Sequence, residues 1–419
     1  MSDPAPSPPP PAAAPPLEKK HAVELGLLTL FAGILRILAA YLLGEGAPFG
    51  PDGTGAEAAV HLGGHLYPAH VELIRVAGSA RTLSVVLGTA TVPLLWLLGH
   101  RCRLSGAGAW FAATLPLAVY PSALSAGDAP ALFVVVLGAL VATFGSAGAV
   151  AGGVIAMGAV AVKPIVAPAL LLLLLRPLSL LGAVLTVPVT AAYLRPLWGP
   201  RPGGGLLASW WPELGGSNPE TPQDVAFIFT HGLQHAAAQD IWVGTWLVGA
   251  ALLVAMFPQR KGAPDVGTGH RLAVIPLFFA LVCIGGAFGS RVSPRYFAPV
   301  VVPALLWIGI AVPKVTAAVF LIPTLAVLTQ VADYRHHMDR DADIPRLEPL
   351  EMPAVDARLL FDESSTRDAT RMRNKAAELA RELPQGATYE VSRRSHGREG
   401  ELVWPLKVAR PDVRIVVKD

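Results

Sequence analysis

Long apolar runs alternate with short polar segments along most of this chain. Most runs are about 17 to 22 residues long, the length needed to cross the hydrocarbon core of a bilayer. The pattern predicts about eleven transmembrane helices, near residues 22–43, 81–99, 107–123, 129–146, 148–162, 165–175, 178–194, 240–257, 272–289, 296–312 and 315–333. The boundaries between 148 and 194 are the least defined, because several prolines interrupt the apolar pattern there.

The two ends of the chain have different patterns. Residues 1–21 are rich in Pro and Ala, which predicts a disordered tail. Lys19 and Lys20 precede a run of about 22 apolar residues, too long for the core of a cleavable signal peptide, so this run is predicted to be a retained span. Within residues 334–419, a helical pattern that ends at Gly386 and three alternating segments predict a small extramembrane α+β domain.

Composition supports an all-α polytopic membrane bundle. Of 419 residues, 53% are hydrophobic and 15% are charged, and the mean hydropathy is +0.50. A formal net charge of +3 gives no reason to predict a nucleic-acid site in such a chain. Cys102 and Cys283 lie far apart without a CxxC pattern, so both are predicted to be packing residues.

The placement of basic residues predicts the orientation of the bundle. With Lys19 and Lys20 inside, the loops at 100–103, at Arg176, at 259–271 and at 313–314 are cytoplasmic and carry most of the short-loop basic charge. The transmembrane domain is then 22–333, and its long loops 44–80 and 195–239 are external. The short loops 122–128 and 290–295 and the C-terminal domain 334–419 are predicted on the same external side.

The first external loop carries ionisable residues between two apolar runs. Its second half has an apolar pattern from Val60 to Val76, which predicts amphipathic helices on the membrane surface. Asp52 precedes that pattern, so it is either a helix N-cap or a functional carboxylate. Glu57, His65 and Tyr67 are further candidates for loop or acceptor contacts. The histidine spacing in this loop does not predict a metal site, and no cofactor is predicted.

Five segments in order resemble the integral-membrane GT-C glycosyltransferases. They are PDGTGAEAAVHLGGHLYP, SARTLSVVLGTATVPLLWLLGHR, YPSALSAGDAPALFVV, AVAVKPIVAPALLLLLL and SRVSPRYFAPVVVPALL, and together they extend over residues 22–333. Within that superfamily the chain is most similar to the branch of protein mannosyltransferases and aminoarabinose transferases. The resemblance implies transfer of a sugar from a polyprenyl-phosphate donor on the outer face of the membrane.

The resemblance also implies a catalytic base in the first external loop, and Asp52 matches its position. Two departures concern the acceptor class. Many relatives have an Asp-Glu pair, whereas Gly53 follows Asp52 here and the nearest glutamate is Glu57. The Pro-rich KPP stretch that relatives carry later in the loop is missing.

The chemistry of such a transfer requires a base for the acceptor proton and cations for the departing phosphate. The candidate ligands of the donor phosphate are Arg75, Arg81, Lys163, Arg291, Arg295 and Tyr296. Each basic residue has an alternative interpretation as an interfacial anchor. Asp128 lies in an external loop where relatives often carry an acidic residue, so it is either a second catalytic residue or a helix N-cap. Arg36, inside the first span, is expected to face the bundle interior.

The sequence therefore predicts a glycosyltransferase of a cytoplasmic (inner) membrane that uses a polyprenyl-phosphate sugar donor and an extracytoplasmic acceptor. The alternative is a non-catalytic membrane scaffold protein or a transporter of lipid or solute. Transporters tend to carry ionisable residues at mid-membrane in related halves of the chain. Here the charged residues gather towards one face and no internal repeat is visible, which favours the enzyme.

The predicted orientation can be tested by single-cysteine labelling in intact cells and inverted vesicles. Cysteines at positions 55, 215 and 370 are expected to react from outside, and cysteines at positions 10 and 265 from the cytoplasm. Labelling of position 370 from the cytoplasm would contradict the predicted number of spans.

Overall fold

The computed structural model describes residues 17–43, 68–77, 80–124, 127–194, 249–252, 274–288, 297–338, 375–392, 406, 410 and 412–418. The α-helices are α1 (Lys19–Leu43), α2 (Pro68–Ala77), α3 (Ala80–Arg101), α4 (Gly108–Thr114), α5 (Pro116–Ala123), α6 (Asp128–Val141), α7 (Gly145–Val162), α8 (Ser179–Leu194), α9 (Val274–Phe288), α10 (Ala298–Ala311), α11 (Leu321–Met338) and α12 (375–382). Two 3₁₀ helices are Pro164–Leu175 and Lys314–Phe320, and two strands are β1 (Thr388–Ser392) and β2 (Arg414–Lys418).

Three of the described helices are long and apolar enough to cross a membrane: Lys19–Leu42, Arg81–Arg101 and Gly145–Val162. The pair α5 and α6 adds a fourth span if its two bent halves count as one. Large apolar side chains such as Leu30, Ile37 and Val189 are exposed on the outer surface of the bundle. Such an apolar surface fits lipid, so the chain is an integral membrane protein with a helical transmembrane bundle.

At the centre of the bundle, α3 packs on α1 and α6, and α7 packs on α6 and α8. The pairs α1–α3 and α6–α7 are antiparallel, whereas α3 and α6 run in the same direction: Gly88 in the first half of α3 packs on Ala129 of α6, and Arg101 at the end of α3 bonds Thr143 just after α6.

Glycines allow the α6, α7 and α8 backbones to approach closely. A Cβ atom at Gly138 would lie 2.5 Å from the carbonyl oxygen of Gly152, so a larger residue would separate α6 from α7. Small residues at helix contacts are typical of membrane bundles, where close packing replaces the hydrophobic effect as the main attraction.

The predicted span 107–123 is interrupted between α4 and α5. Leu115 is extended and Pro116 begins the next helix. Because Pro116 has no N–H group, the carbonyl of Ala112 loses the donor that a continuous helix would supply. Arg36 replaces it: its Nη2 atom donates to the carbonyls of Ala112 at 3.2 Å and Ala118 at 3.3 Å. Arg36 is 2% exposed, which confirms the expectation that it faces the interior.

A second set of contacts closes the same interruption from α11. The N–H group of Ala118 donates to Leu115 at 3.0 Å, so the carbonyl of Thr114 lacks its usual helical donor. The Thr324 hydroxyl donates to that carbonyl. The Tyr120 hydroxyl in turn donates to the carbonyl of Thr324 at 3.1 Å. The break therefore exchanges main-chain hydrogen bonds for contacts that join α1, α4, α5 and α11.

Polar contacts also join the opposite end of these helices. The Glu24 carboxylate accepts hydrogen bonds from Trp110 Nε1 and Lys314 Nζ, both at 2.9 Å. The contacts place the start of α1 beside the start of α4 and the start of the 3₁₀ helix Lys314–Phe320. We name this the loop end of the bundle, and it also contains Arg101 at the end of α3. The arrangement agrees with the predicted grouping of the basic loops, while their side of the membrane stays a prediction.

The described C-terminal residues contain both helix and strand. β1 and β2 pair in parallel, with Thr388 opposite Arg414. Arg410 donates to the carbonyls of Ala380 at 2.9 Å and Leu383 at 2.8 Å at the end of α12, and to the Asp412 carboxylate at 2.8 Å. The hydrogen bond from Arg410 holds the pKa of Asp412 well below its usual range. Two of the three predicted strands are thus present, while a domain 334–419 stays a prediction.

Other boundaries differ from the predicted spans in detail. The predicted spans 165–175 and 315–333 each contain a 3₁₀ helix, because prolines at positions 164, 168 and 313 interrupt regular α-helix. Most of the predicted span 240–257 and the whole loop 195–239 lie outside the described residues.

The contribution of the helix interruption to stability can be measured with a pair of isosteric variants. Thr324→Val leaves the Thr114 carbonyl without a donor, and we expect a loss of about 1 kcal/mol in the free energy of unfolding. Thr91→Val is the control, because the Thr91 hydroxyl bonds Leu87 within one regular helix, where the main chain already supplies a donor. Equal losses in detergent unfolding experiments would contradict the importance of the interruption.

Candidate functional site

The candidate site is a buried ion pair between Lys163 and Asp128. Lys163 Nζ lies 3.0 Å from Asp128 Oδ2, and their side chains are 8% and 3% exposed. Asp128 is the first residue of α6, and Lys163 directly follows α7. Because α6 and α7 are antiparallel neighbours, the start of one meets the end of the other. Two residues 35 positions apart are thereby brought into hydrogen-bonding contact.

Local backbone structure explains both positions. Gly127, not Asp128, is the N-cap residue of α6, so the interpretation of Asp128 as an N-cap is wrong. Lys163 has extended backbone angles (φ −158°, ψ 110°), the conformation favoured before a proline. A carboxylate at a helix N-terminus and an ammonium at a helix C-terminus both complement the helix dipoles. The helix ends thus reinforce the attraction between the two charges.

His70 of α2 lies beside this pair. It is buried, and a Cβ atom at Gly127 would lie only 3.1 Å from its Nδ1 atom. From the sequence, the histidines of the first loop were considered only as possible metal ligands, and His70 was not identified as a neighbour of this pair. The amphipathic pattern of α2 could have indicated that His70 faces the bundle. Leu73 lies three residues after His70 on the same helix face and packs against the core. Among the described residues, no cluster of three His, Cys, Asp or Glu side chains could hold a metal ion.

Arg81 lies at the same end of the bundle. Gly88 of α3 packs against Ser122 and Ala129, and Arg81 is two helical turns, about 10 Å, nearer the start of α3. Its Nη1 atom donates to the carbonyl of Ala40 near the end of α1, at 3.5 Å. We name this the ion-pair end of the bundle. It gathers the end of α1, the start of α3, the end of α5 and the polar ends of α6 and α7.

The structure therefore brings three predicted site residues, Asp128, Lys163 and Arg81, to one end of the bundle. Arg75 lies in α2, the helix that also carries His70. The remaining predicted site residues lie outside the described residues: Asp52, Glu57, His65, Tyr67, Arg291, Arg295 and Tyr296. Their functional roles, and those of the residues placed here, stay predictions.

Of the comparisons with known proteins, the one with solved structures finds a match. The structure is similar to a crystal structure of ArnT from Cupriavidus metallidurans bound to undecaprenyl phosphate. The TM-score is 0.51 and the identity is 15%, over 93% of this chain and 90% of that chain. This chain has the fold of the GT-C membrane glycosyltransferases. No family model matches the sequence, and no curated protein matches it. At this identity the likeness concerns the fold alone, and the predicted GT-C fold is confirmed.

The ion pair gives the GT-C bundle an energetic feature that can be measured. Removing one member of a buried pair leaves the other charge uncompensated, which costs about 3–5 kcal/mol. We expect Asp128→Asn and Lys163→Met each to destabilise the protein strongly. The double variant should recover much of the loss, because no unpaired charge stays buried.

Unfolding midpoints of all four proteins in one detergent complete this double-mutant cycle. Arg103→Gln is the control, since Arg103 is exposed and lies at the loop end of the bundle. Additive losses in the double variant would contradict a direct coupling between Asp128 and Lys163.

Proposed function

We propose that this protein is a glycosyltransferase that moves a sugar from a polyprenyl-phosphate donor to an acceptor outside the cytoplasmic membrane. The observation that carries the proposal is a buried ion pair at one end of a GT-C fold, the end to which the acidic first loop is attached. The relative of similar fold was crystallised with undecaprenyl phosphate, a lipid of the proposed donor class. The proposal places this end and the C-terminal residues on the extracytoplasmic side and the N-terminus in the cytoplasm.

In the proposed reaction, an acceptor hydroxyl attacks the anomeric carbon of the sugar. A bond forms between that carbon and the acceptor oxygen, and the bond to the phosphate oxygen breaks. Asp52 takes the acceptor proton, and the polyprenyl phosphate leaves with its negative charge. The candidate ligands of that charge are Arg75, Arg81, Lys163, Arg291, Arg295 and Tyr296. Glu57, His65 and Tyr67 are proposed acceptor or loop contacts.

The ion pair distinguishes Lys163 from Arg81 as candidate phosphate ligands. The Lys163 ammonium already has a carboxylate partner, so a donor phosphate would have to share it with Asp128. Arg81 lies at the outer start of α3 and presents a planar guanidinium, which suits bidentate phosphate binding. We therefore propose Arg81 as a direct phosphate ligand. The Asp128–Lys163 pair would then be a fixed polar support for the site, deeper in the bundle than Arg81.

Burying two charges within a membrane bundle costs free energy, and ionisable residues in such positions usually mark a functional site. The buried pair therefore supports a functional site here. Transporters tend to carry such groups at mid-membrane, where a pathway crosses the bilayer. Here the pair joins the start of α6 to the end of α7, at one end of the bundle. That position fits chemistry near the interface, where a polyprenyl chain can remain in lipid.

The proposal is tested by transfer from a panel of labelled polyprenyl-phosphate sugars in proteoliposomes. Asp52→Asn keeps the size of the side chain and most N-cap ability but removes the proton acceptor. We expect turnover to fall by about two orders of magnitude or more, with donor binding retained. Arg81→Lys should instead weaken donor binding, since an ammonium lacks the guanidinium fork.

Asp52→Ala supplies the comparison for Asp52→Asn. If Asp52 is only an N-cap, Asn should be almost silent and Ala should cost about 1 kcal/mol of stability. A fully active Asp52→Asn enzyme would contradict the catalytic role. Failure of the unmodified protein to transfer any sugar of the panel would contradict the proposed function.

A further inference from the structure

Two arginines lie at the loop end of the bundle, away from the ion pair. Arg101 is the last residue of α3, and Arg176 follows the 3₁₀ helix Pro164–Leu175. The 3₁₀ helix packs along α6 and α7 from Lys163 and extends about 24 Å, so Arg176 at its far end returns towards the end of the bundle that contains Arg101. Burial raises the pKa of the Cys102 thiol to about 11, while the charges of Arg176 and Arg101 act in the opposite direction.

The position of Arg101 is fixed by the turn between α6 and α7. Its Nε atom donates to the Thr143 hydroxyl at 2.7 Å, and its Nη2 atom donates to the Thr143 carbonyl at 3.3 Å. The guanidinium carbon lies 3.9 Å from the centre of the Phe144 ring. The turn depends on Gly145, whose φ of +77° suits glycine. An arginine so held is preorganised, so a ligand would cost it little side-chain entropy.

Arg176 has an unsatisfied donor. Its Nε atom is buried and has no hydrogen-bond acceptor among the described residues. Within the same part of the chain, neither Arg176 nor Arg101 forms an ion pair. A buried donor without an acceptor costs about 1–3 kcal/mol. An anionic oxygen at this position would remove that cost and balance the positive charge.

The surroundings of the two arginines are apolar and exposed. Phe144 is 57% exposed, Leu178 is 45% exposed and Leu181 is 50% exposed. Leu178 lies directly before α8 and Leu181 lies in its first turn, while Phe144 lies under the Arg101 guanidinium. Positive charge bordered by lipid-facing apolar side chains is typical of sites where helices bind acidic lipid head groups.

We propose that Arg101 and Arg176 bind the phosphate of an anionic phospholipid at the loop end of the bundle, with Phe144, Leu178 and Leu181 against its acyl chains. A general preference for basic residues in cytoplasmic loops explains their presence in the sequence. It does not explain why one guanidinium is fixed over an aromatic ring and another has a buried donor without an acceptor.

This lipid site is separate from the proposed transfer site. α7 connects the turn beside Arg101 to Lys163, and its 18 residues extend about 27 Å. The phospholipid here is a bound component of the bundle and not the sugar donor. The inference therefore stands whether or not the chain transfers a sugar.

The test is lipid binding by the full-length protein in a neutral detergent, measured by native mass spectrometry. The ligands are dioctanoyl phosphatidylglycerol, dioctanoyl phosphatidylcholine and inorganic phosphate. We expect phosphatidylglycerol to bind in preference to the other two. Arg176→Gln should weaken its binding about tenfold or more, the effect of one lost charge-assisted hydrogen bond.

Arg103→Gln is the matched control, because it removes the same charge from an exposed residue at the same end of the bundle. We expect it to leave phosphatidylglycerol binding nearly unchanged. Equal losses in the Arg103 and Arg176 variants would overturn the proposal, since they would indicate general attraction to positive charge. Equal binding of phosphatidylcholine, or phosphate binding as tight as that of phosphatidylglycerol, would also overturn it.

If Arg176→Gln does not yield folded protein, Arg176→Lys tests the same proposal. Lysine keeps the charge but lacks the Nε donor and the planar fork, so we expect partial loss of phosphatidylglycerol binding. Melting temperatures without added lipid establish that the variant is folded. Unchanged affinity in a folded Arg176→Lys protein would overturn the assignment of the phosphate to this guanidinium.

Discussion

The structure depends on one constraint: main-chain polar groups within a bilayer must find partners inside the protein, because the hydrocarbon core has no water to supply them. Pro116 removes a main-chain donor in the middle of a span, and the chain compensates with the buried Arg36. The guanidinium provides several donors in one plane, which allows it to serve the carbonyls of Ala112 and Ala118 together. A break that would be unfavourable in lipid thus becomes a contact between helices.

The same constraint shapes the site. A helix that ends within the bundle leaves carbonyls and N–H groups without helical partners, and charged side chains of the right sign are stabilised beside them. Asp128 at the start of α6 and Lys163 after the end of α7 have those signs, and they pair because the helices are antiparallel. The ion pair and the helix ends therefore stabilise one another. Burial of two charges is tolerable here because each meets both a countercharge and a favourable dipole.

Much of the bundle could be predicted from the apolar pattern, since length and hydropathy place both ends of α1, α3 and α7 within about three residues. The interruption at Leu115 could not, because a proline at the start of one helix and a proline within another look alike in sequence. Asp128 and Lys163 were both identified, but as separate candidates. Their pairing depends on the packing of α6 against α7, which single-residue reasoning does not provide. His70 was missed for the same reason.

The two ends of the bundle differ in how their charged side chains are paired. At the ion-pair end, the Asp128 carboxylate neutralises the Lys163 ammonium. At the loop end, neither Arg101 nor Arg176 forms an ion pair among the described residues, and the buried Nε atom of Arg176 has no hydrogen-bond acceptor there. In the proposed transfer reaction, a preorganised neutral pair would hold the departing phosphate less tightly than an unpaired ammonium would. An uncompensated pair of cations suits instead a lipid that stays bound and stabilises the fold.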